Sequence, residues 1–131
     1  MHLAKAAMIA VIDDDISVRR AAKTLLSSLG YTTATFQSAE EFLASGGLEQ
    51  TACLVTDVHM PGMSGVELQD YLIANGDLTP VIFLTAFPED ALRARVFGAG
   101  AFGFLTKPFS AESLIACLDL ALAHPRANGP H

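Results

Sequence analysis

The chain has 131 residues, 51% of them hydrophobic, and a formal net charge of −6 at pH 7. That length fits one domain able to bury a core, and that apolar content excludes a disordered or tail-like chain. The acidic balance, with Lys and Arg scattered and only Arg19, Arg20 and Lys23 loosely grouped, argues against a nucleic-acid-binding surface.

Short apolar runs alternate with longer periodic ones. "MIAVI" (8–12) is a short strand; Lys5 ahead of it gives the start a faint likeness to a signal peptide, but there is no cleavage site and the run meets "DDD" at once. Val18, Ala22, Leu25, Leu26 and Leu29 recur at helical spacing up to Gly30. "TTATF" (32–36) is a second, weaker strand, and Ser38 with Glu41 predicts a capping box for a short helix ended by Gly46 and Gly47. "ACLVT" (52–56) is the third strand; Ser64 and Glu67 predict another capping box, on a helix running to about Asn75. "VIFLT" (81–85) follows Pro80, and Pro88, Glu89 and Asp90 suit the first turn of a helix ending near Gly98 or Gly100. "FGFLT" (102–106) is the fifth strand, Ser110 caps a last helix to about Ala123, and "HPRANGPH" is a polar tail.

Five strands alternating with helices predict an α/β domain over residues 1–123, its parallel sheet covered on both faces, with 124–131 as the tail. No apolar run approaches the roughly 18 residues of a membrane span, so a cytoplasmic protein without membrane contact is expected. Cys53 and Cys117 lie in apolar stretches and read as buried free thiols; no Cys or His grouping predicts zinc.

Open parallel sheets bind ligands beyond the carboxyl ends of their strands. Asp13, Asp14 and Asp15 follow the first strand, Asp57 closes the third, Thr85 ends the fourth, and Lys107 lies just past the fifth. Asp15 has a simpler use as the N-cap of the first helix. Carboxylates held together repel one another and have raised pKa values unless a cation sits among them, and hard oxygen donors favour Mg²⁺. A hydroxyl and an ammonium opposite the acids suit a phosphoryl group.

The acid pair Asp13–Asp14, "TDVHMPGMSGVEL" (56–68), "LTA" (84–86) and "LTKPF" (105–109) together make the chain resemble the receiver domain of two-component response regulators over about Met8 to Ala123. "VIDDDISVRRA" and "MPGMSGVEL" look most like FixJ-like receivers. The resemblance implies a flavodoxin-like, CheY-like fold with strand order 2-1-3-4-5 and five helices. It implies that Asp57 accepts a phosphoryl group from a phosphohistidine of a sensor histidine kinase or phosphotransfer protein. It implies Mg²⁺ held by Asp13, Asp14, Asp57 and the backbone carbonyl of His59, and phosphoryl contacts from Lys107, Thr85 and the Ala86 N–H, with the Lys107–Pro108 bond expected to be cis. Thr85 and Phe104 would form the switch, Phe104 standing where many receivers carry Tyr. His59 and Phe87 occupy positions that influence the lifetime of the phosphoryl group. Gly62 and Gly65 are expected to let the loop bend away from Asp57.

"SLIACLDLALA" in the last helix is apolar on nearly every side, with Asp119 its only charge, which predicts a second contact face; its alanines tolerate water at little loss. By likeness to the family, the fourth helix, fifth strand and fifth helix would carry a homodimer or output-domain interface. The expected role is signalling rather than turnover of an external substrate. A dehalogenase-type phosphatase needs a second Asp where His59 stands, a degenerate receiver would have lost one of the site residues, and a flavodoxin would carry a phosphate loop instead of acids. No DNA-binding region follows residue 123, so the output is expected in another chain or in a part removed from this one.

Overall fold

The computed structural model describes residues 7–123. The elements, in chain order, are β1 (Met8–Ile12), α1 (Ile16–Ser28), β2 (Thr32–Phe36), α2 (Ala39–Ser45), a 3₁₀ turn (Gly47–Gln50), β3 (Thr51–Asp57), α3 (Gly65–Ala74), β4 (Val81–Thr85), α4 (Asp90–Gly98), β5 (Gly103–Thr106) and α5 (Ala111–Ala123). All five strands run parallel, in the order β2-β1-β3-β4-β5. The expected tail, 124–131, and the residues ahead of Ala7 lie outside the described residues.

The central strands read as mainly apolar runs because both faces of the sheet are covered. Ile9, Val11, Cys53, Val55, Ile82 and Leu84 point to one side, where Ala22 and Leu26 of α1 and Leu114, Leu118 and Ala121 of α5 pack on them. Ala10, Ile12, Leu54 and Phe83 point to the other, against Phe42 of α2, Leu68 and Leu72 of α3, and Val96 of α4. β4 is buried along its whole length, whereas the edge strand β2 starts exposed and is otherwise only partly covered. Phe42 and Phe83 are fully buried, and each such side chain contributes roughly 2–3 kcal/mol by leaving water.

Most local signals act as the sequence indicates, with instructive departures. Asp15 caps α1 by accepting the Ser17 N–H, and Ser64 with Glu67 closes a complete capping box on α3. The α2 cap is only half of the expected box: Ser38 accepts the Glu41 N–H, but the Glu41 carboxylate reaches back to the N–H of Gln37 rather than that of Ser38. Pro88 lies outside α4, whose N-cap is Glu89, because the chain is still extended there. Gly47 does not simply end α2; it opens a 3₁₀ turn that delivers the chain into β3. β3 itself extends one residue past the predicted strand end, so Asp57 is its last residue and pairs in register with Leu84. Met8–Ile12 forms the expected first strand.

The outer side of α5 is less apolar than its composition implies. Ala116, Asp119 and Ala123 are exposed there, and Leu120, at 58% exposure, is its one exposed large apolar side chain among the described residues. Cys53 is a buried free thiol and burial pushes its pKa up to about 12; Cys117 is free and half-buried, and burial raises its pKa too.

Candidate functional site

β1 lies between β2 and β3, so connections leave β1 and β3 in opposite directions and their carboxyl ends border a crevice. Asp13 and Asp14 emerge from β1 at that crevice, and Asp57 ends β3 beside them. One carboxylate oxygen from each of Asp13, Asp14 and Asp57 lies within 4.8 Å of the others. Asp13 is fully buried, Asp57 is 5% exposed and Asp14 faces solvent. The set is a cup of hard oxygen donors with one open side.

Lys107, just past β5, reaches into this cup. Its Nζ lies 2.8 Å from Asp13 Oδ2 and 3.3 Å from Asp57 Oδ1. The Lys107 N–H donates to the Thr85 carbonyl at 2.8 Å, and the Lys107–Pro108 peptide is cis, as expected. Asp13 is tied down on both oxygens, since Oδ1 accepts the Asp15 N–H at 2.9 Å. Arg19 Nη1 donates to the Asp13 carbonyl at 2.7 Å.

Burial pushes the Asp57 carboxyl above its ordinary pKa; the Asp13 charge adds to this, and Lys107 only partly opposes it. Burial alone would lower the pKa of Lys107, but the Asp13 and Asp57 carboxylates outweigh it and hold the ammonium above the usual lysine value. Charges of both signs are thus packed together with more carboxylate than ammonium. A divalent cation on the open side would relieve the repulsion, so the donor chemistry fits a metal.

Thr85 is fully buried at the end of β4, and its Oγ1 accepts the Phe87 N–H at 3.0 Å; Ala86 follows it at the exposed start of the next loop. Phe104 is 7% exposed and packs with the core under α4. The Arg93 guanidinium stands 5.9 Å from the Phe104 ring and 5.0 Å from that of Phe97. His59 is exposed, and its ring meets Phe87 edge to face at 6.1 Å; Phe87 is 68% exposed.

The two loop glycines do different things. Gly62 takes φ +77°, the left-handed turn conformation expected of it. Gly65 is instead the first residue of α3: its N–H donates to the Val58 carbonyl at 2.9 Å, and a Cβ built on it would overlap the backbone oxygen of Asp57. It is glycine because the helix starts against the strand that carries Asp57.

Sequence reasoning missed two features here. The Glu40 carboxylate of α2 accepts the Met63 N–H at 2.7 Å, and that N–H, with Glu40's own, holds the carboxyl below its ordinary pKa. Only the Gly-rich spacing of "MPGMSG" hinted at an outside anchor. The second is a hollow of about 260 Å³ lined by Ile16, Arg19, Arg20, Lys23 and Thr35. The loosely grouped basic residues share one wall because they recur at helical spacing on α1.

Comparison with known proteins agrees with this geometry. The family model of the response regulator receiver domain matches residues 9–119. The chain is 35% identical over 129 residues to the response regulator protein TodT of Pseudomonas putida, covering 96% of this chain and 57% of TodT. It is 39% identical over 119 residues to the transcriptional regulatory protein FixJ of Azorhizobium caulinodans, covering 91% and 56% of the two chains. Among solved structures, the response regulator StyR superposes with a TM-score of 0.82 at 42% identity, over 88% of this chain and 59% of StyR. The structure of FixJ-N superposes with a TM-score of 0.79 at 32% identity, over 90% and 94%. The chain therefore spans little more than half the length of the first two relatives. With five parallel strands in the order 2-1-3-4-5 and an acid cluster at their carboxyl ends, the chain belongs to the response regulator receiver domain family.

Proposed function

We propose that residues 1–123 act as a phosphoacceptor switch in which Asp57 is the nucleophile. The observation that carries this reading is the ion-paired, buried position of Asp57: its Oδ1 is 3.3 Å from Lys107 Nζ and its carboxylate shares a cup with Asp13 and Asp14. A carboxylate oxygen of Asp57 forms a bond to phosphorus while the P–N bond of a phosphohistidine breaks and the imidazole leaves. Lys107 then pairs with the transferred phosphoryl oxygens, and Thr85 Oγ1, released from the Phe87 N–H, donates to one of them beside the Ala86 N–H. Water later attacks the acyl phosphate, inorganic phosphate leaves, and the Asp57 carboxylate is regenerated.

Asp14, Asp57 and the His59 carbonyl, with Asp13 directly or through water, would hold Mg²⁺, which supplies charge neutralisation for the acids and the incoming phosphoryl oxygens. Movement of Thr85 toward the phosphoryl group would free space for Phe104, which lacks a hydroxyl and therefore signals by packing alone. The activity is confined to the domain's own phosphorylation and dephosphorylation.

The partner on the input side is a histidine kinase or phosphotransfer protein. Support comes from the α1 hollow, where half-exposed Ile16 and three cations lie on the helix that follows Asp13 and Asp14. The output side, a homodimer or an output domain, falls on α4, β5 and α5, where Phe97 and Leu120 are exposed. Among the described residues no helix is long and apolar enough to cross a membrane, and a cytoplasmic site of action fits such partners.

The test is incubation with Mg²⁺ and acetyl phosphate, read by intact mass, with Asp57→Asn and an EDTA-treated sample as controls. A single phosphoryl adduct that needs both Mg²⁺ and Asp57 is expected. An adduct that persists in Asp57→Asn, or none with acetyl phosphate, beryllofluoride or a kinase, overturns the reading.

A further inference from the structure

The segment between Asp57 and α3 is fastened at two levels. At its base, the Gly65 N–H donates to the Val58 carbonyl at 2.9 Å and the Val58 N–H to the Leu84 carbonyl at 3.0 Å. Its outer limb is held from a different element altogether: Glu40 of α2 accepts the Met63 N–H at 2.7 Å, across 23 residues of sequence. Gly62 makes this contact possible twice over. Its φ of +77° turns the chain, and a Cβ there would lie 2.5 Å from Glu40 Oε2. His59 sits between the two fastenings, exposed, with its ring engaged by Phe87 rather than by the acids.

We propose that Glu40, outside the acid cluster, is a positioning residue for the metal: by holding Met63 it fixes the loop whose His59 carbonyl completes the Mg²⁺ site. This rests on the reading of Asp13, Asp14 and Asp57 as that site. The physical reason is preorganisation. A carbonyl on a free loop must be ordered when the ion binds, and that ordering subtracts from affinity; a loop already tied to α2 has been ordered during folding. Outer-shell hydrogen bonds act on metal affinity in this way even though they never touch the ion. Glu40 is surface-exposed, so its removal leaves the core intact.

The test titrates MgCl₂ into ¹⁵N-labelled wild type, Glu40→Ala, Glu40→Gln and Gly62→Ala. It follows the amides near Asp13, Asp14 and Asp57, hydrogen exchange at Met63, and the rate of phosphorylation by acetyl phosphate as Mg²⁺ is varied. Glu40→Ala is expected to weaken Mg²⁺ about tenfold, the lower end of what loss of an outer-shell partner does. The Mg²⁺ needed for half-maximal phosphorylation should rise by the same factor, while the rate at saturating Mg²⁺ stays near wild type. Glu40→Gln keeps an acceptor oxygen at the same reach and should retain most of the affinity. Gly62→Ala breaks the same contact from the other side and should behave like Glu40→Ala.

Wild-type Mg²⁺ affinity in Glu40→Ala overturns the proposal, as does an equal loss in Glu40→Gln, which would assign the effect to charge. A lower rate at saturating Mg²⁺ with unchanged affinity overturns it too. If wild type itself shows no Mg²⁺-dependent shift at the acid cluster, the metal-site reading fails, and this inference with it.

Discussion

The two ends of the same sheet are built on opposite rules. At the carboxyl end, Asp13, Asp57, Thr85 and Lys107 crowd charged and polar groups into a largely buried space, with like charges unresolved. At the amino end, between the last turns of α3 and α4, a cavity of about 240 Å³ is lined mainly by apolar groups such as Leu72, Pro80 and Val81. Two polar side chains, Gln69 and Thr79, are buried there at 4% and 5% exposure. Between the two ends the central strands are mainly apolar, and the edge strand β2 carries Thr32, Thr33 and Thr35. The contrast teaches that this sheet is a rigid mount, and that its crowding of like charge is confined to the end where chemistry is done.

If that is right, removing the crowded Asp57 carboxylate should change function and stability in opposite directions. Asp57→Asn has the largest expected effect on function, complete loss of the phosphoryl adduct by mass. It should nonetheless make the Mg²⁺-free protein more stable, by about 1 kcal/mol in a denaturant or thermal melt, because a buried like charge is gone. The pH dependence carries the sign. Asp57 has a raised carboxyl pKa in the folded state, so between the ordinary carboxylate value and that raised value the folded chain binds more protons than the unfolded one. Stability therefore falls as pH rises through this window, and the fall should flatten in Asp57→Asn and on adding Mg²⁺.

Lys107→Ala comes next and separates the two roles of charge at the site. Loss of a cation aimed at the transferred phosphoryl group should slow phosphorylation by acetyl phosphate roughly 10²-fold. Unlike Asp57→Asn, it should also destabilise the Mg²⁺-free protein, by roughly 3 kcal/mol, because it strands the buried Asp13 carboxylate without its partner. Melts with and without Mg²⁺ would show this, with the metal restoring part of the loss. Equal stability of Lys107→Ala and wild type would mean that the acids are solvated.

Phe87→Ala tests the rim of the site. Phe87 and His59, two residues past Thr85 and Asp57, meet edge to face. Cutting the ring away should admit water to the acyl phosphate and shorten its lifetime several-fold, with the rate of phosphorylation and the melting temperature little changed. Decay of the adduct followed by mass at fixed Mg²⁺ is the measurement, and a longer lifetime would assign the ring to guiding water inward.

The carboxyl end was legible in the sequence because each of its groups sits at the end of an apolar run, so the strand pattern alone brings Asp13, Asp14, Asp57, Thr85 and Lys107 to one edge. The amino end and the loop anchors were not. Nothing in the period of β3 or α2 says that Glu40 reaches Met63, because that contact depends on how α2 lies against the loop. Gly65 looked like a turn residue because glycine marks both turns and close approaches, and only the overlap with the Asp57 oxygen distinguishes them. Likewise composition alone could not tell which side of α5 is buried, because both are rich in apolar residues: Leu114, Leu118 and Ala121 take the buried side and leave Leu120 as the exposed large residue.

The smallest expected effect lies at the amino end, and it sharpens the comparison most. Gln69 Nε2 donates to the Val96 carbonyl at 3.2 Å, while its Oε1 is buried with no hydrogen-bond partner among the described residues. An orphaned buried acceptor is destabilising, whereas replacing the whole group by an apolar side chain of similar size is often neutral or better. The Val96 carbonyl would not be orphaned in turn, because it also accepts the N–H groups of Ala99 and Ala101. Gln69→Leu should therefore leave stability within about 1 kcal/mol of wild type, on the favourable side if either. Phosphorylation and Mg²⁺ affinity should not change, since the site is at the other end of the strands. A clear loss of stability would show that Gln69 is held by a buried water that the substitution expels. A change in phosphoryl transfer would show that the two ends of the sheet are coupled, and that the mount is not rigid.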